Sequence, residues 1–197
     1  MRGFKTDVER PAKTALRNQL VDLAVALPYG HLETLSLCGA DWAFEKALLA
    51  KRPDAHCLGI ERDRAVYEQA CINRQGNEHL EIHRDSIQCA LTDFKHFGAK
   101  FNVIWLDFCG PICPVYEQAL IDAASITTDI LAVTFMNMRE QGYSFSRRNP
   151  RYKYVFSLFP KDFVDSWDLV IGEWYKDTTA PMAFYVWQKQ RISTEVL

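Results

Sequence analysis

The sequence predicts an α/β fold: a Rossmann-like, doubly wound, mostly parallel seven-stranded sheet finished by a C-terminal antiparallel strand pair. Three observations carry that prediction. Five short apolar segments alternate with amphipathic helical ones, the pattern of a parallel sheet covered on both faces. Near the end, DLVIGEWY (168–175) and MAFYVWQ (182–188) are joined only by KDTTAP, too short for a helical crossover, so these two strands pair antiparallel. Between them in importance lies FNVIWLDFCGPICP (101–114), a run rich in β-branched and aromatic residues that Asp107, Gly110 and Pro111 cut off sharply. It reads as a buried central strand entering a tight loop.

Taken in order, Thr6 and Glu9 have capping-box spacing, and PAKTALRNQLVDLAVAL places Ala12, Ala15, Leu16, Leu20, Leu23 and Leu27 near helical period. Pro28, Tyr29 and Gly30 end this helix. Leu35–Leu37 suggests a strand, Cys38–Asp41 a turn, Trp42–Lys51 a helix and His56–Ile60 a second strand. Asp63 can cap the helix RAVYEQACINRQ, which Gly76 closes, and HLEIHRD is a third strand ending in Asp85. A helix over Ser86–Phe97, the central strand, a helix over Val115–Ala124 and a strand over Asp129–Asn137 complete the alternation.

With 197 residues, 48% of them hydrophobic, the chain supports one domain with a substantial core. No apolar run approaches the roughly 20 residues that span a bilayer, and the polar start MRGFKTDVER lacks the apolar segment of a signal peptide. A soluble, cytoplasmic protein is expected. The six cysteines, Cys38, Cys57, Cys71, Cys89, Cys109 and Cys113, include no CxxC pair and read as free thiols. His79 and His83 would stand about 13 Å apart on a strand, too far for one ion, so no metal is expected.

Position singles out the candidate site. In parallel α/β sheets ligands bind beyond the carboxyl ends of the strands, where Asp107 ends the central strand and Glu61 and Asp85 follow the second and third. Glu61 lies where an acidic side chain can receive the two hydroxyls of a ribose. Asp107 could equally cap the element that follows it.

This order of elements, with acids after the second, third and fourth strands, resembles the class I S-adenosylmethionine-dependent methyltransferases over roughly residues 34–190. The resemblance implies residues 1–33 as an N-terminal helical segment and 34–197 as a methyltransferase-like catalytic domain with S-adenosyl-L-methionine as cofactor. It puts the methionine part of the cofactor against Cys38, Gly39, Ala40 and Asp41, the ribose on Glu61 with Arg62 beside it, and the adenine beside Asp85 and Ser86. The reacting centre falls at Asp107, Phe108, Cys109 and Gly110. One departure stands out: the family's acid ahead of several glycines is replaced by Ser36, and only Gly39 remains in the first loop. The loop DFCGP is similar to the Asp-Pro-Phe-Gly type loop of the tRNA guanine-N2 dimethyltransferases, which implies N-methylation of a base in nucleic acid, RNA before DNA.

A second stretch supports a nucleic-acid partner. Arg147, Arg148, Arg151 and Lys153 alternate with Tyr143, Phe145, Tyr152, Tyr154, Phe156 and Phe159 after the fifth strand. Cations can hold phosphates while aromatic faces stack on bases; buried aromatics under a solvated loop are the plainer reading. Net charge is only −2, so any basic patch is local. Three other classes stay open. A nicotinamide oxidoreductase would share the first strands but GxGxxG is absent; a non-catalytic methyltransferase-fold partner would explain the altered first loop; and Cys109 or Cys113 could serve as a nucleophile for carbon methylation. A small-molecule or protein methyltransferase is the remaining alternative.

Overall fold

The computed structural model describes residues 10–136, 151–177 and 180–191. Helix α1 (Pro11–Val25) is followed by β1 (Glu33–Ser36), α2 (Ala43–Leu49), β2 (His56–Ile60), α3 (Arg64–Asn73), β3 (Leu80–His83), α4 (Ile87–His96), β4 (Phe101–Asp107), α5 (Pro114–Ile126) and β5 (Thr127–Met136). Two short helices, α6 (Arg151–Ser157) and α7 (Lys161–Ser166), lead into β6 (Trp167–Tyr175) and β7 (Met182–Lys189).

The seven strands form one sheet in the order β3-β2-β1-β4-β5-β7-β6. Strands β1 to β5 run parallel, and β7 lies antiparallel to both β5 and β6. The chain thus builds outward from β1 to β3, then returns to β4 on the other side of β1. That reversal opens a crevice at the carboxyl ends of β1 and β4, the ligand position of open α/β sheets.

Period-2 alternation divides the core. Ile104, Leu106, Leu131 and Val133 face one side, packing against α4, α5 and the aromatic residues of α6 and α7. Val103, Trp105, Ile130 and Ala132 face the other, where Leu16, Leu20, Val21 and Ala24 of α1 join Leu48 of α2 and Ala70 of α3. Helix α1 thus packs through Leu16 and Leu20 of the expected stripe together with Val21 and Ala24, while Ala15 is exposed and Ala12 and Leu23 are only partly buried.

Its start is held differently from the sequence expectation. Thr6 and Glu9 lie outside the described residues; the amides of Ala12 and Lys13 instead donate to the two carboxylate oxygens of Asp177, at 3.0 and 2.7 Å. Helix ends leave such amides without intrahelical partners, and a carboxylate also suits the positive end of the dipole.

Candidate active site

Strand register sets out the site. Ser36 pairs with Trp105 across β1 and β4, and the Leu37 amide donates to the Trp105 carbonyl. Two residues further on, Cys38 and Asp107 emerge together at the sheet edge. On the other side of β1, Ile60 pairs with His83, so Glu61 leaves its strand beside the loop that carries Asp85 and Ser86. Residues read separately from the sequence are in this way gathered at one edge: Cys38, Gly39, Glu61, Arg62, Asp85, Ser86, Asp107, Phe108 and Cys109 all line one cavity of about 350 Å3. That size lies within the range of small-molecule and cofactor sites. Ala40 and Asp41 line an adjoining cavity of about 190 Å3, whereas Gly110 serves the backbone, its carbonyl accepting from Met136.

The first loop is fixed from behind. Trp42 is fully buried at φ 55°, its indole N–H donating to the Ala70 carbonyl at 2.9 Å. A left-handed backbone is costly for a bulky residue, and the buried indole anchors it there. Close approach is also needed at Gly59 on β2: a Cβ there would stand 2.3 Å from the Cys38 sulfur and 3.0 Å from the Trp42 ring. The Asn73 side chain reaches from α3 to the Ala40 carbonyl at 2.9 Å. Gly39, by contrast, borders open space, since an added Cβ would meet nothing within 4 Å.

In place of the acid expected at the end of β1, a buried carboxyl comes from the next helix. Glu45 of α2 is 2% exposed and accepts a hydrogen bond from the Ser36 hydroxyl. Burial pushes its pKa up, while the Ser36 hydrogen bond and the charge of Arg17 oppose the shift. Glu61 is half-buried; burial raises its pKa too, against the Asp63 amide that donates to it at 2.6 Å. Asp63 caps α3 as expected, whereas Ser86, read as the first residue of its helix, is instead the residue that caps α4.

Asp107 is not alone. The ammonium of Lys13, from α1, forms an ion pair with its Oδ2 and lies 5.9 Å from the centre of the Trp105 ring. Phe108 is buried between Phe135 and Tyr116, with ring centres 5.3 and 4.1 Å away. Tyr116, stacked on Phe108, lines the cavity beside it. Cys109 has its pKa raised, first by desolvation and then by the Asp107 carboxylate.

The basic, aromatic stretch is only partly a surface. Arg147 and Arg148 lie outside the described residues. Arg151 is 4% exposed, which removes it from the phosphate-contacting set inferred from sequence. Lys153 is exposed, whereas Tyr154 donates to Glu117 at 2.7 Å and Tyr152 packs edge-on against Tyr185. Phe156 and Phe159 meet Trp187 in the core. Amphipathic packing of α6, which a sequence rich in aromatics and cations disguises, explains the difference.

Sequence reading missed Arg10, Lys13, Arg17 and Tyr116 at the site, and Asp177 at the start of α1. The spacing of Arg10, Lys13 and Arg17 marks a basic face on α1, but nothing local announces what that face meets. Among the described residues, no three His, Cys, Asp or Glu side chains could jointly hold a metal, and no helix is long and apolar enough to cross a membrane.

No family model and no curated protein matches the sequence. Solved structures do. An S-adenosylmethionine-dependent methyltransferase from Agrobacterium tumefaciens gives a TM-score of 0.62 at 11% identity, over 92% of this chain and 62% of that one. TrmN from Thermus thermophilus gives 0.61 at 12% identity, over 90% and 49%; this chain spans less than two thirds of either. Fibrillarin, the pre-rRNA processing protein of Methanococcus jannaschii, gives 0.52 at 14% identity, over 84% and 70%. At such identities the likeness is one of fold. The chain has the fold of the class I S-adenosylmethionine-dependent methyltransferases.

Proposed function

We infer that the protein is an S-adenosylmethionine-dependent methyltransferase acting on an amine nitrogen of a base, in RNA before DNA. The observation that carries this reading is one cavity that runs along the ends of β1, β2, β3 and β4. It combines a half-buried carboxylate at Glu61, polar groups at Asp85 and Ser86 and apolar walls at Val66, Ile87 and Tyr116, a donor set suited to a nucleoside with its sugar.

Bound there, the cofactor would supply an electrophilic methyl group on a sulfonium. Asp107 accepts an N–H of the target amine and so aims its lone pair; Lys13 fixes the carboxylate from behind. Once the nitrogen had taken up the methyl group, the Asp107 carboxylate that accepts its N–H would receive the proton it sheds. Alignment of the two reacting atoms provides most of the acceleration in such a displacement. Tyr116 offers a ring face against which a planar base can stack. RNA is favoured by the DFCGP loop, by the exposed Lys153 and by the fold shared with a pre-rRNA processing protein.

Calorimetry with S-adenosylhomocysteine tests the cofactor. Binding by the wild type is expected, weakened about 10-fold to 150-fold in Glu61→Ala, which removes an ionised acceptor of ribose hydroxyls. Unchanged affinity in a folded mutant contradicts the ribose assignment. A non-catalytic role is favoured by one observation, the ion pair that already engages Asp107; it predicts cofactor binding without methyl transfer.

A further inference from the structure

Arg10, Lys13 and Arg17 lie along one face of the start of α1 and all line the cavity of about 190 Å3 beside the first. The three cations are in different situations. Lys13 is paired with Asp107, and the charge of Arg17 favours the ionised form of Glu45. The Nε atoms of Arg10 and Arg17 are both buried and find no hydrogen-bond acceptor among the described residues, but Arg17 has a further interaction elsewhere and, of the two, only Arg10 borders the nucleoside-sized cavity as well. Arg10 borders both cavities, and its charge is felt at Cys109 and Tyr175, so it stands where the two meet.

A buried cationic donor without an acceptor is costly, and an arriving anion offsets that cost. The amides at the start of α1 do not fill this role, being already engaged by Asp177. The first loop is also poorly suited to it, with one glycine and a backbone tied down by Trp42 and Asn73.

We propose that Arg10 receives the carboxylate at the amino-acid end of the cofactor, so that α1, not the first loop, holds that end. This rests on the cofactor reading above. A planar guanidinium can meet a carboxylate through two parallel N–H bonds, and the smaller cavity continues from the nucleoside-sized one past Cys38 and Gly39.

The experiment is calorimetry with two compounds, S-adenosylhomocysteine and 5′-methylthioadenosine; the second keeps the nucleoside and thioether but has no carboxylate. Arg10→Gln is expected to weaken S-adenosylhomocysteine roughly tenfold or more while leaving 5′-methylthioadenosine unchanged. Arg10→Lys, which keeps the charge and loses the fork, should fall between. Equal losses for both compounds would mean that Arg10 only supports α1, which overturns the proposal. Unchanged binding of both, with weakened binding of RNA, would assign the anion to a substrate phosphate and overturn it as well. A wild type that binds neither compound is a separate failure, that of the cofactor reading itself.

Discussion

Lys13 on α1 and Asp107 at the end of β4, 94 residues apart in sequence, form an ion pair at the mouth of the cavity. Both side chains are largely shielded, 21% and 16% exposed, so the pair is less screened than a surface one. It joins the helix that precedes the sheet to the carboxylate at the reacting centre. Lys13→Ala is expected to lower turnover by up to about 100-fold through misplacement of Asp107, with a much smaller change in the affinity for S-adenosylhomocysteine. Equal effects on turnover and affinity would show that Lys13 serves binding alone.

Two glycines near the first loop make opposite predictions. Gly39 faces open space at the cavity, so Gly39→Val should leave stability nearly unchanged and block the ligand. Gly59 is pressed against Cys38 and Trp42, so Gly59→Ala should destabilise the fold by about 1–3 kcal/mol through overpacking. Urea unfolding and calorimetry on both variants separate the effects. A Gly39→Val protein that binds S-adenosylhomocysteine normally would move the ligand away from this loop.

The sheet was legible because its signals are local. Apolar runs, a capping residue such as Asp63, and the six-residue link before the last strand each reflect neighbours in the chain. Even so, β5 begins at Thr127, directly out of α5, because no glycine or proline marks that junction. Glu61, Asp85 and Asp107 could be placed at one edge because strand ends carry that information. Their partners could not: Lys13 meets Asp107, and Asp177 caps α1 across 165 residues, through tertiary contacts that leave no pattern in sequence. Glu45 shows the same limit. A glutamate in a helix of mixed charge reads as exposed, and only the fold buries it under Ser36.

Glu45 also gives a pH dependence. Its pKa in the folded protein is raised by burial, so the native state holds this proton more tightly than the unfolded chain, where a glutamate titrates near about 4.3. The contribution to stability is thus fully present below that value and is lost as pH rises toward the folded pKa. Glu45→Gln removes the titration. Its unfolding free energy relative to wild type should rise across this window and then level off. A difference that does not vary with pH would contradict the assignment.

Salt dependence tests the nucleic-acid reading. Arg147, Arg148 and Lys153 are the remaining candidates for phosphate contact, since Arg151 is buried. If each holds one phosphate of a single strand, replacing all three with Ala should flatten the plot of log affinity against log salt by about 2 units. Arg151→Ala should instead lower stability. A triple variant with the wild-type slope would remove this segment from the interface.

Whether Asp107 orients an amine for methylation is tested by single-turnover transfer of a tritiated methyl group from S-adenosylmethionine to RNA. Digestion of the product to nucleosides locates the label. Label on an exocyclic nitrogen is expected, with Asp107→Ala slowing transfer by about 100-fold or more while still binding S-adenosylhomocysteine. Label on a ring carbon, lost in Cys109→Ser, or transfer by Asp107→Ala at the wild-type rate, would contradict this role of Asp107.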